Sequence, residues 1–327
     1  DGVSKVQALQ MRTQKGANTN VVAINGNFDD AQTGVKKLFG DKSLEALLES
    51  KGFQFSSANS INIGRLVPQI VYYVYAYARL LANEEIAGGE QINVVVPTGN
   101  FGNILAAYFA KRMGVPIKTL ICASNDNKVL YDFFKTGVYD KNRPFILTSS
   151  PSMDILISSN LERLIYLSTG CDAEETKKRM EELSKDGKYS VTDEMRARMA
   201  DFVGGYADQA ANAAEIKRLY DETGYMIDTH TGVASCVYHN YVKETGDTKK
   251  TVIASTASPY KFSRSVMEAI FGSEEGKGEF ELIDEMEKAS GVKIPQAIEE
   301  IRKAEIRHNR QCKPEEMEET VKQTFSK

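Results

Sequence analysis

The sequence is poor in the residues that build metal sites and disulfide frameworks. It has three histidines, four cysteines and no tryptophan among 327 residues. The cysteines are far apart and form no C-x-x-C pair: Cys122, Cys171, Cys236 and Cys312. Because zinc sites and disulfide-stapled domains need a recognisable cysteine spacing, this pattern favours reduced thiols in a cytoplasmic protein and predicts no bound metal.

Long hydrophobic runs and an excess of one charge are also missing. The longest apolar run, at positions 66–82, is interrupted by Pro68 and Gln69, so we expect a buried core helix rather than a membrane span. Helical spacing places five of its aliphatic residues on one face: Val67, Val71, Val74, Ala78 and Leu81. The net charge of −4 provides no basic surface for nucleic acid or an anionic membrane. A small-molecule site is therefore the default expectation.

Strands and helices alternate in the first half of the chain. Apolar, β-branched runs predict strands at 20–26, 91–97 and 117–124, and helical patterns follow them at 29–41, 103–113 and 127–137. This alternation indicates a parallel sheet with right-handed crossovers.

The second half of the chain is richer in helical patterns. Segment 151–224 is charged and mostly helical, which predicts a helical addition around the sheet. In the tail, Met317, Val321 and Phe325 share one helical face, which we expect to dock on the protein.

A glycine-bracketed loop, Gly99-Asn100-Phe101-Gly102-Asn103, joins the strand at 91–97 to the next helix. Such a loop presents unpaired N–H groups at the positive end of a helix dipole, which is the chemistry of a phosphate cup. The two glycines allow positive φ angles and close backbone approach, and the two asparagines add side-chain donors. The loop has neither the G-x-G-x-x-G pattern of a dinucleotide site nor the lysine of a P-loop. Plain turn chemistry is the alternative.

The loop belongs to one of five ordered sequence blocks. The blocks are "GVSKVQALQM", "SSANSINIGRLVPQIVYY", "VVVPTGNFGNILAAYFAKRMGVPIKTLICASNDN", "IDTHTGV" and "ASTASPYKF", and the likeness that they share extends over most of residues 1–272. They closely resemble the threonine synthases, which are pyridoxal-phosphate enzymes of fold type II. The resemblance implies an α/β fold like that of the tryptophan synthase β subunit. Helices would flank its parallel sheet, with a helical insertion and a helical C-terminal tail.

The resemblance implies a cofactor site for pyridoxal 5'-phosphate. Its phosphate would be bound, largely by backbone N–H groups, at Gly99, Asn100, Phe101, Gly102 and Asn103. Thr256 would face the pyridine nitrogen, and strand alternation would send its neighbour Ser255 to the opposite face. For Phe101, a hydrophobic plug beneath the loop is the structural alternative.

Substrate contacts are implied for Ser60, Asn62 and Arg65, where Arg65 could pair with a phosphate or carboxylate. The alternatives are that Ser60 or Asn62 only caps a helix and that Arg65 is a solvated charge. His230 either lines the substrate pocket or is a satisfied turn histidine, and a histidine-based triad is not expected.

The family's Schiff-base lysine has no match in this chain, because it lies upstream of the "GVSKVQ" block. Lys185 precedes an acidic residue as that lysine does, but its polar turn has no apolar strand to bury it. We therefore expect no catalytic residue here. The chain would be the carboxy-terminal part of a longer threonine synthase, inactive alone, whose missing N-terminal segment is one of its partners.

This interpretation also implies a domain division. Residues 1–57 would be the remainder of a smaller α/β domain, residues 58–272 the large cofactor-binding domain with its insertion, and residues 273–327 a helical extension.

The implied reaction converts O-phospho-L-homoserine and water to L-threonine and phosphate. Two alternatives stay open. A related phospho-lyase, which releases a 2-oxo acid, would share every residue named above. A non-catalytic fragment with the same fold is supported by the missing lysine. The expected partner is the small-molecule substrate, with neither nucleic acid nor membrane.

Overall fold

The computed structural model describes residues 3–26, 28–57 and 62–325, which form two compact units. The terminal unit contains residues 1–57 and 275–327, and the central unit contains residues 58–274. The domain division drawn from the sequence stays a prediction for the protein as a whole.

The secondary-structure elements follow in chain order. The helices are α1 (Lys5–Arg12), α2 (Phe28–Gly40), α3 (Lys42–Ser50), α4 (Ile63–Leu66), α5 (Ile70–Ala82), α6 (Gly102–Arg112), α7 (Val129–Thr136), α8 (Leu161–Ser168), α9 (Ala173–Asp186), α10 (Asp193–Arg198), α11 (Gln209–Thr223), α12 (Thr229–Thr245), α13 (Ser263–Phe271), α14 (Glu279–Ser290), α15 (Gln296–Lys303) and α16 (Met317–Thr324). The strands are β1 (Val22–Ile24), β2 (Ile92–Pro97), β3 (Ile117–Ser124), β4 (Val138–Asp140), β5 (Lys188–Ser190), β6 (Phe202–Tyr206), β7 (Thr251–Ile253) and β8 (Arg310–Cys312).

In the terminal unit, the tail of the chain packs against its first residues. Strands β1 and β8 pair in parallel, with Val22 opposite Arg310. The predicted tail face is confirmed, because Met317, Val321 and Phe325 pack in a hydrophobic cluster with buried leucines of α2 and α3.

A parallel four-stranded sheet organises the central unit in the order β6-β3-β2-β7. Every residue of β2 is buried, as expected of a strand covered on both faces by helices. The predicted strands at 91–97 and 117–124 are confirmed to within one residue, and so is their parallel pairing.

Strand β6 corrects the expectation that segment 151–224 only adds helices around the sheet. Its sequence, "FVGGY", contains two glycines, which are uncommon inside strands. A Cβ atom at Gly204 would lie 3.0 Å from Cα of Tyr131 in α7, and one at Gly205 would lie 2.4 Å from Cγ1 of Val237 in α12. The glycines therefore let two helices pack directly on the strand.

The apolar face expected for the helix around α5 is also corrected. Val67, Val71 and Val74 are 51%, 62% and 43% exposed, whereas Tyr73 and Tyr77 are buried. A 3-10 turn at Val67–Gln69 interrupts the helical phase. The buried hydroxyl of Tyr73 bonds Asn103, and that of Tyr77 bonds the carbonyl of Glu90. Within the described part of the chain, no helix has the length and apolarity needed to cross a membrane.

A cluster of hydrogen-bonded polar side chains lies at the amino-terminal end of β2. Oδ2 of Asp247 accepts from Nζ of Lys118 at 2.8 Å, from the hydroxyl of Tyr241 at 3.0 Å and from the amide of buried Asn93 at 3.3 Å. The Lys118 hydrogen bond is the main cause that holds the pKa of Asp247 well below its usual range.

We expect Asp247→Asn to lower the free energy of unfolding by about 1–3 kcal/mol at neutral pH, because it removes a charged acceptor shared by several donors. A carboxyl whose pKa is depressed by folding stabilises the protein above its ordinary pKa of 3.8 and loses that contribution as the pH falls below it. Urea unfolding of both proteins at neutral and acidic pH measures the difference. Asp221→Asn, in an exposed pair with Lys217, is the matched control. A difference that does not shrink in acid would contradict the assignment.

Candidate functional site

A cavity of about 1020 Å³ lies in the central unit, at the carboxyl ends of β2 and β7. Ligands bind at this end of strands in open parallel sheets. The cavity is lined by the loop at 97–104, by residues of α5 and the turn before it, by Ser152 and Met153, by His230, and by the segment at 252–257 with Lys261.

The structure brings most of the sequence-predicted site residues to this one cavity. The residues among them that line it are Arg65, Gly99, Asn100, Phe101, Gly102, Asn103 and Thr256. Asn62 does not line it, and its side chain instead accepts from the backbone N–H of Gly64 as the cap of α4. Ser60 lies outside the described residues.

The backbone of the glycine-bracketed loop is held from one side by side chains that follow it in sequence. The carbonyl of Gly99 accepts from the Ser158 hydroxyl at 2.8 Å. The carbonyl of Asn100 accepts from both the backbone N–H and the side-chain amide of Asn160, at 3.0 and 2.8 Å. In a trans peptide the N–H points opposite to the carbonyl, so the N–H groups of Asn100 and Phe101 point away from these two residues. With the first-turn N–H groups of α6, which have no acceptor within their own helix, they are the donors of a candidate anion cup.

Close packing explains why the first loop position is glycine. A Cβ atom at Gly99 would lie 2.2 Å from the carbonyl oxygen of Ser152, a separation that no side chain can accept. The requirement is one of space, since the φ angle of Gly99 is not among the positive ones.

Phe101 contributes to the loop in two ways. Its φ angle of 63° is left-handed, which turns the chain into α6. Its side chain is 1% exposed and packs 5.6 Å from the ring of Phe202 and 6.0 Å from that of Phe134. The side chain is therefore a hydrophobic plug, and only the backbone of Phe101 is available to a ligand.

Asn103 is oriented by a tyrosine from α5. The hydroxyl of Tyr73 donates to Oδ1 of Asn103, and burial raises the pKa of this tyrosine, which keeps it a neutral donor. Because Oδ1 accepts from Tyr73, the donor end that the amide has left for a ligand is Nδ2. The side chain of Asn103 thus adds donor capacity to the wall of the cavity.

Thr256 and Ser255 both line the cavity, and the expectation that their side chains face opposite sides stays a prediction. Strand β7 ends at Ile253, so the alternation of a strand no longer applies at these positions. The hydroxyl oxygens of Thr231 and Ser255 lie 3.3 Å apart, within hydrogen-bond distance.

Comparisons with known proteins agree in pointing to one family. A family profile described as "Threonine synthase, C-terminal" matches residues 231–321. Human "Threonine synthase-like 1" is 40% identical over 273 residues, which cover 83% of this chain and 36% of that protein. "Threonine synthase" of Schizosaccharomyces pombe is 38% identical over 286 residues, covering 81% of this chain and 54% of the relative. Over most of its length the chain is similar to threonine synthases.

A solved structure extends the likeness to threonine synthases over nearly the whole chain. The PLP-bound threonine synthase from Brucella melitensis has a TM-score of 0.81 at 32% identity, covering 99% of this chain and 63% of that one. The predicted α/β fold of type II pyridoxal-phosphate enzymes is confirmed, and the expected cofactor is the one named for this relative. The chain spans between about a third and two thirds of the length of these relatives.

Sequence reasoning missed several residues that shape the site. Ser158 and Asn160 hold the loop, Ser152 packs on Gly99, and Lys261 lines the cavity. His230, which was left open, is buried and lines the cavity. Among the residues that the structure describes, no cluster of histidine, cysteine and acidic side chains could hold a metal ion.

Proposed function

We propose that the chain is part of a threonine synthase that converts O-phospho-L-homoserine and water to L-threonine and phosphate. The observation that carries this proposal is the meeting of a backbone anion cup with two cationic residues, Arg65 and Lys261, in one cavity. The cup suits the phosphate of a cofactor, and the cations suit the phosphate or carboxylate of an anionic substrate. The similarity to threonine synthases and the cofactor named for the Brucella relative support the same reaction.

The chain's own residues fit pyridoxal 5'-phosphate. The loop at 99–103 would hold the phosphate through its N–H groups, and Gly99 lets the loop pack against the carbonyl of Ser152. Thr256 would present its hydroxyl to the pyridine nitrogen. When bound, the cofactor would withdraw electrons from the substrate, more weakly beside a neutral hydroxyl than beside a carboxylate, which suits elimination and replacement.

Substrate binding is assigned to Ser60, Asn62 and Arg65, with Lys261 as an addition from the cavity lining. The role of Ser60 rests on the family resemblance alone. Asn62 would have to act from its capping position beside the cavity, whereas Arg65 and Lys261 already line it. Long cationic side chains can follow a phosphate as it leaves the substrate.

The Schiff-base lysine would come from a segment outside these 327 residues, since the chain spans 63% of the Brucella relative. Lys185 lies in α9 and is not a cavity-lining residue. The free state of all four cysteines supports a reducing, cytoplasmic location.

Two other functions share this site. A phospho-lyase would eliminate the phosphate and release a 2-oxo acid, and a non-catalytic fragment would bind the cofactor without reaction. The chain is as similar to human "Threonine synthase-like 1", at 40% identity, as to named synthases. Sequence identity therefore does not choose between the synthase and these two alternatives.

Product analysis tests the proposal. A longer protein that joins this chain to the lysine-bearing segment should convert O-phospho-L-homoserine to threonine and phosphate in equal amounts. The 327-residue chain alone should release no phosphate, because it would lack the covalent anchor. A 2-oxo acid without threonine would establish the phospho-lyase instead. Cofactor binding without any product from the longer protein would favour the non-catalytic alternative.

A further inference from the structure

His230 is a buried side chain with both ring nitrogens engaged. It is 2% exposed and lies at the amino-terminal end of α12. Its Nδ1 lies 3.0 Å from Oδ1 of Asp228, and its Nε2 lies 3.2 Å from the backbone nitrogen of Ser152. A carboxylate only accepts and a backbone N–H only donates, so the imidazole carries its proton on Nδ1 and accepts at Nε2.

Asp228 holds the imidazole in this orientation. It is fully buried, accepts from the backbone N–H of His230 at 2.8 Å, and accepts from the hydroxyl of Thr231. The ring of Phe262 packs on the imidazole with 4.8 Å between centroids. Nε2 of His230 is therefore an acceptor at a fixed place.

The turn that contains Ser152 packs directly on the phosphate cup. The carbonyl oxygen of Ser152 occupies the space in which a Cβ atom of Gly99 would stand. The same turn is held a second time by α12, because the hydroxyl of Thr229 donates to the carbonyl of Ser149 at 2.7 Å. Because the turn packs on Gly99, the position of the turn on α12 also fixes the position of Gly99.

We propose that His230 is a positioning residue for the phosphate cup, acting by holding the Ser152 turn against Gly99. The proposal rests on the proposed cofactor site and adds to it a residue that acts through the backbone of a neighbouring turn. Asp228, His230 and Ser152 include the residue types of a catalytic triad. They do not form one, because Nε2 of His230 faces the backbone N–H of Ser152 as a hydrogen-bond acceptor.

The matched pair of ligands for a test is pyridoxal 5'-phosphate and pyridoxal, which lacks the phosphate. His230→Phe keeps an aromatic ring and removes both nitrogens. In the 327-residue chain it should weaken binding of pyridoxal 5'-phosphate about tenfold and change binding of pyridoxal less than about twofold. Fluorescence titration of both ligands gives the dissociation constants.

Three further variants separate positioning from general damage. His230→Gln should recover part of the lost affinity, because Oε1 of glutamine can accept from the N–H of Ser152. Thr229→Val removes the second bond to the turn and should weaken the phosphate preference about threefold. His239→Phe makes the same change on the same helix, at a half-exposed histidine outside the cavity, and should alter neither affinity.

The outcomes distinguish this inference from the proposed function. If the wild-type chain binds pyridoxal 5'-phosphate no better than pyridoxal, the cup is wrong and both proposals fall. If the wild type prefers the phosphorylated ligand and His230→Phe keeps that preference, only the positioning role falls. Equal loss of both affinities in His230→Phe would also overturn it, since that result reports a general effect on the fold. If His230→Phe does not fold, Thr229→Val replaces it in the test. A Thr229→Val variant that keeps the full preference for the phosphorylated ligand would then overturn the positioning role.

Discussion

Replacing Gly99 with alanine is expected to weaken binding of pyridoxal 5'-phosphate about a hundredfold. The new Cβ atom would lie 2.2 Å from the carbonyl oxygen of Ser152, so either the loop or the turn must move by roughly 1 Å. Donors that converge on one anion lose most of their effect over such a distance. Titration of the chain with pyridoxal 5'-phosphate measures the change.

Gly88→Ala is the matched control for this prediction. Gly88 belongs to the same unit, has no positive φ angle, and a Cβ atom there would meet nothing within 4 Å. We expect its affinity for the cofactor to equal that of the wild type. If Gly99→Ala also binds as the wild type does, the loop at 99–103 is not the phosphate site.

Replacing Phe101 with alanine is expected to lower the free energy of unfolding by about 3–5 kcal/mol, the largest stability change among the substitutions considered. Its ring is fully enclosed between Phe134 and Phe202, so its removal leaves a cavity in the core of the central unit. Urea or thermal unfolding measures this loss.

Two other phenylalanine substitutions serve as controls: a milder change at the same site and the same change at an exposed site. Phe101→Leu should cost about 1–2 kcal/mol and leave cofactor affinity within about threefold, because the cup uses the backbone of this residue. Phe271→Ala, at a side chain that is 49% exposed, should cost less than about 1 kcal/mol. A loss of cofactor affinity in Phe101→Leu as large as that in Gly99→Ala would mean that the aromatic ring itself contacts the ligand.

The strand, loop and helix that form the cup could be predicted from sequence because each has local signals. A β-branched run is followed by Gly99 and Gly102, and then by a helix that ends before Gly114. The ligand end of the sheet then follows from parallel connectivity. Here local preference and global fold agree.

The residues that hold the cup could not be predicted in this way, because their contacts join distant parts of the chain. Ser158 and Asn160 lie 59 and 60 positions beyond the carbonyls that they hold, and His230 lies 78 positions beyond Ser152. Nothing in the local sequence marks such a pair. Strand β6 was not predicted for a related reason, since the two helices that require its glycines come from elsewhere in the sequence.

The hydrogen bonds from Ser158 and Asn160 to the carbonyls of Gly99 and Asn100 should affect how fast a ligand associates. A loop whose carbonyls are already bonded has given up its conformational entropy during folding, so little remains to be lost when an anion arrives. The observed association rate should then rise in proportion to ligand concentration, without a plateau set by loop ordering. In variants that lack these hydrogen bonds the loop would lose that entropy on binding, so their association rate should reach such a plateau.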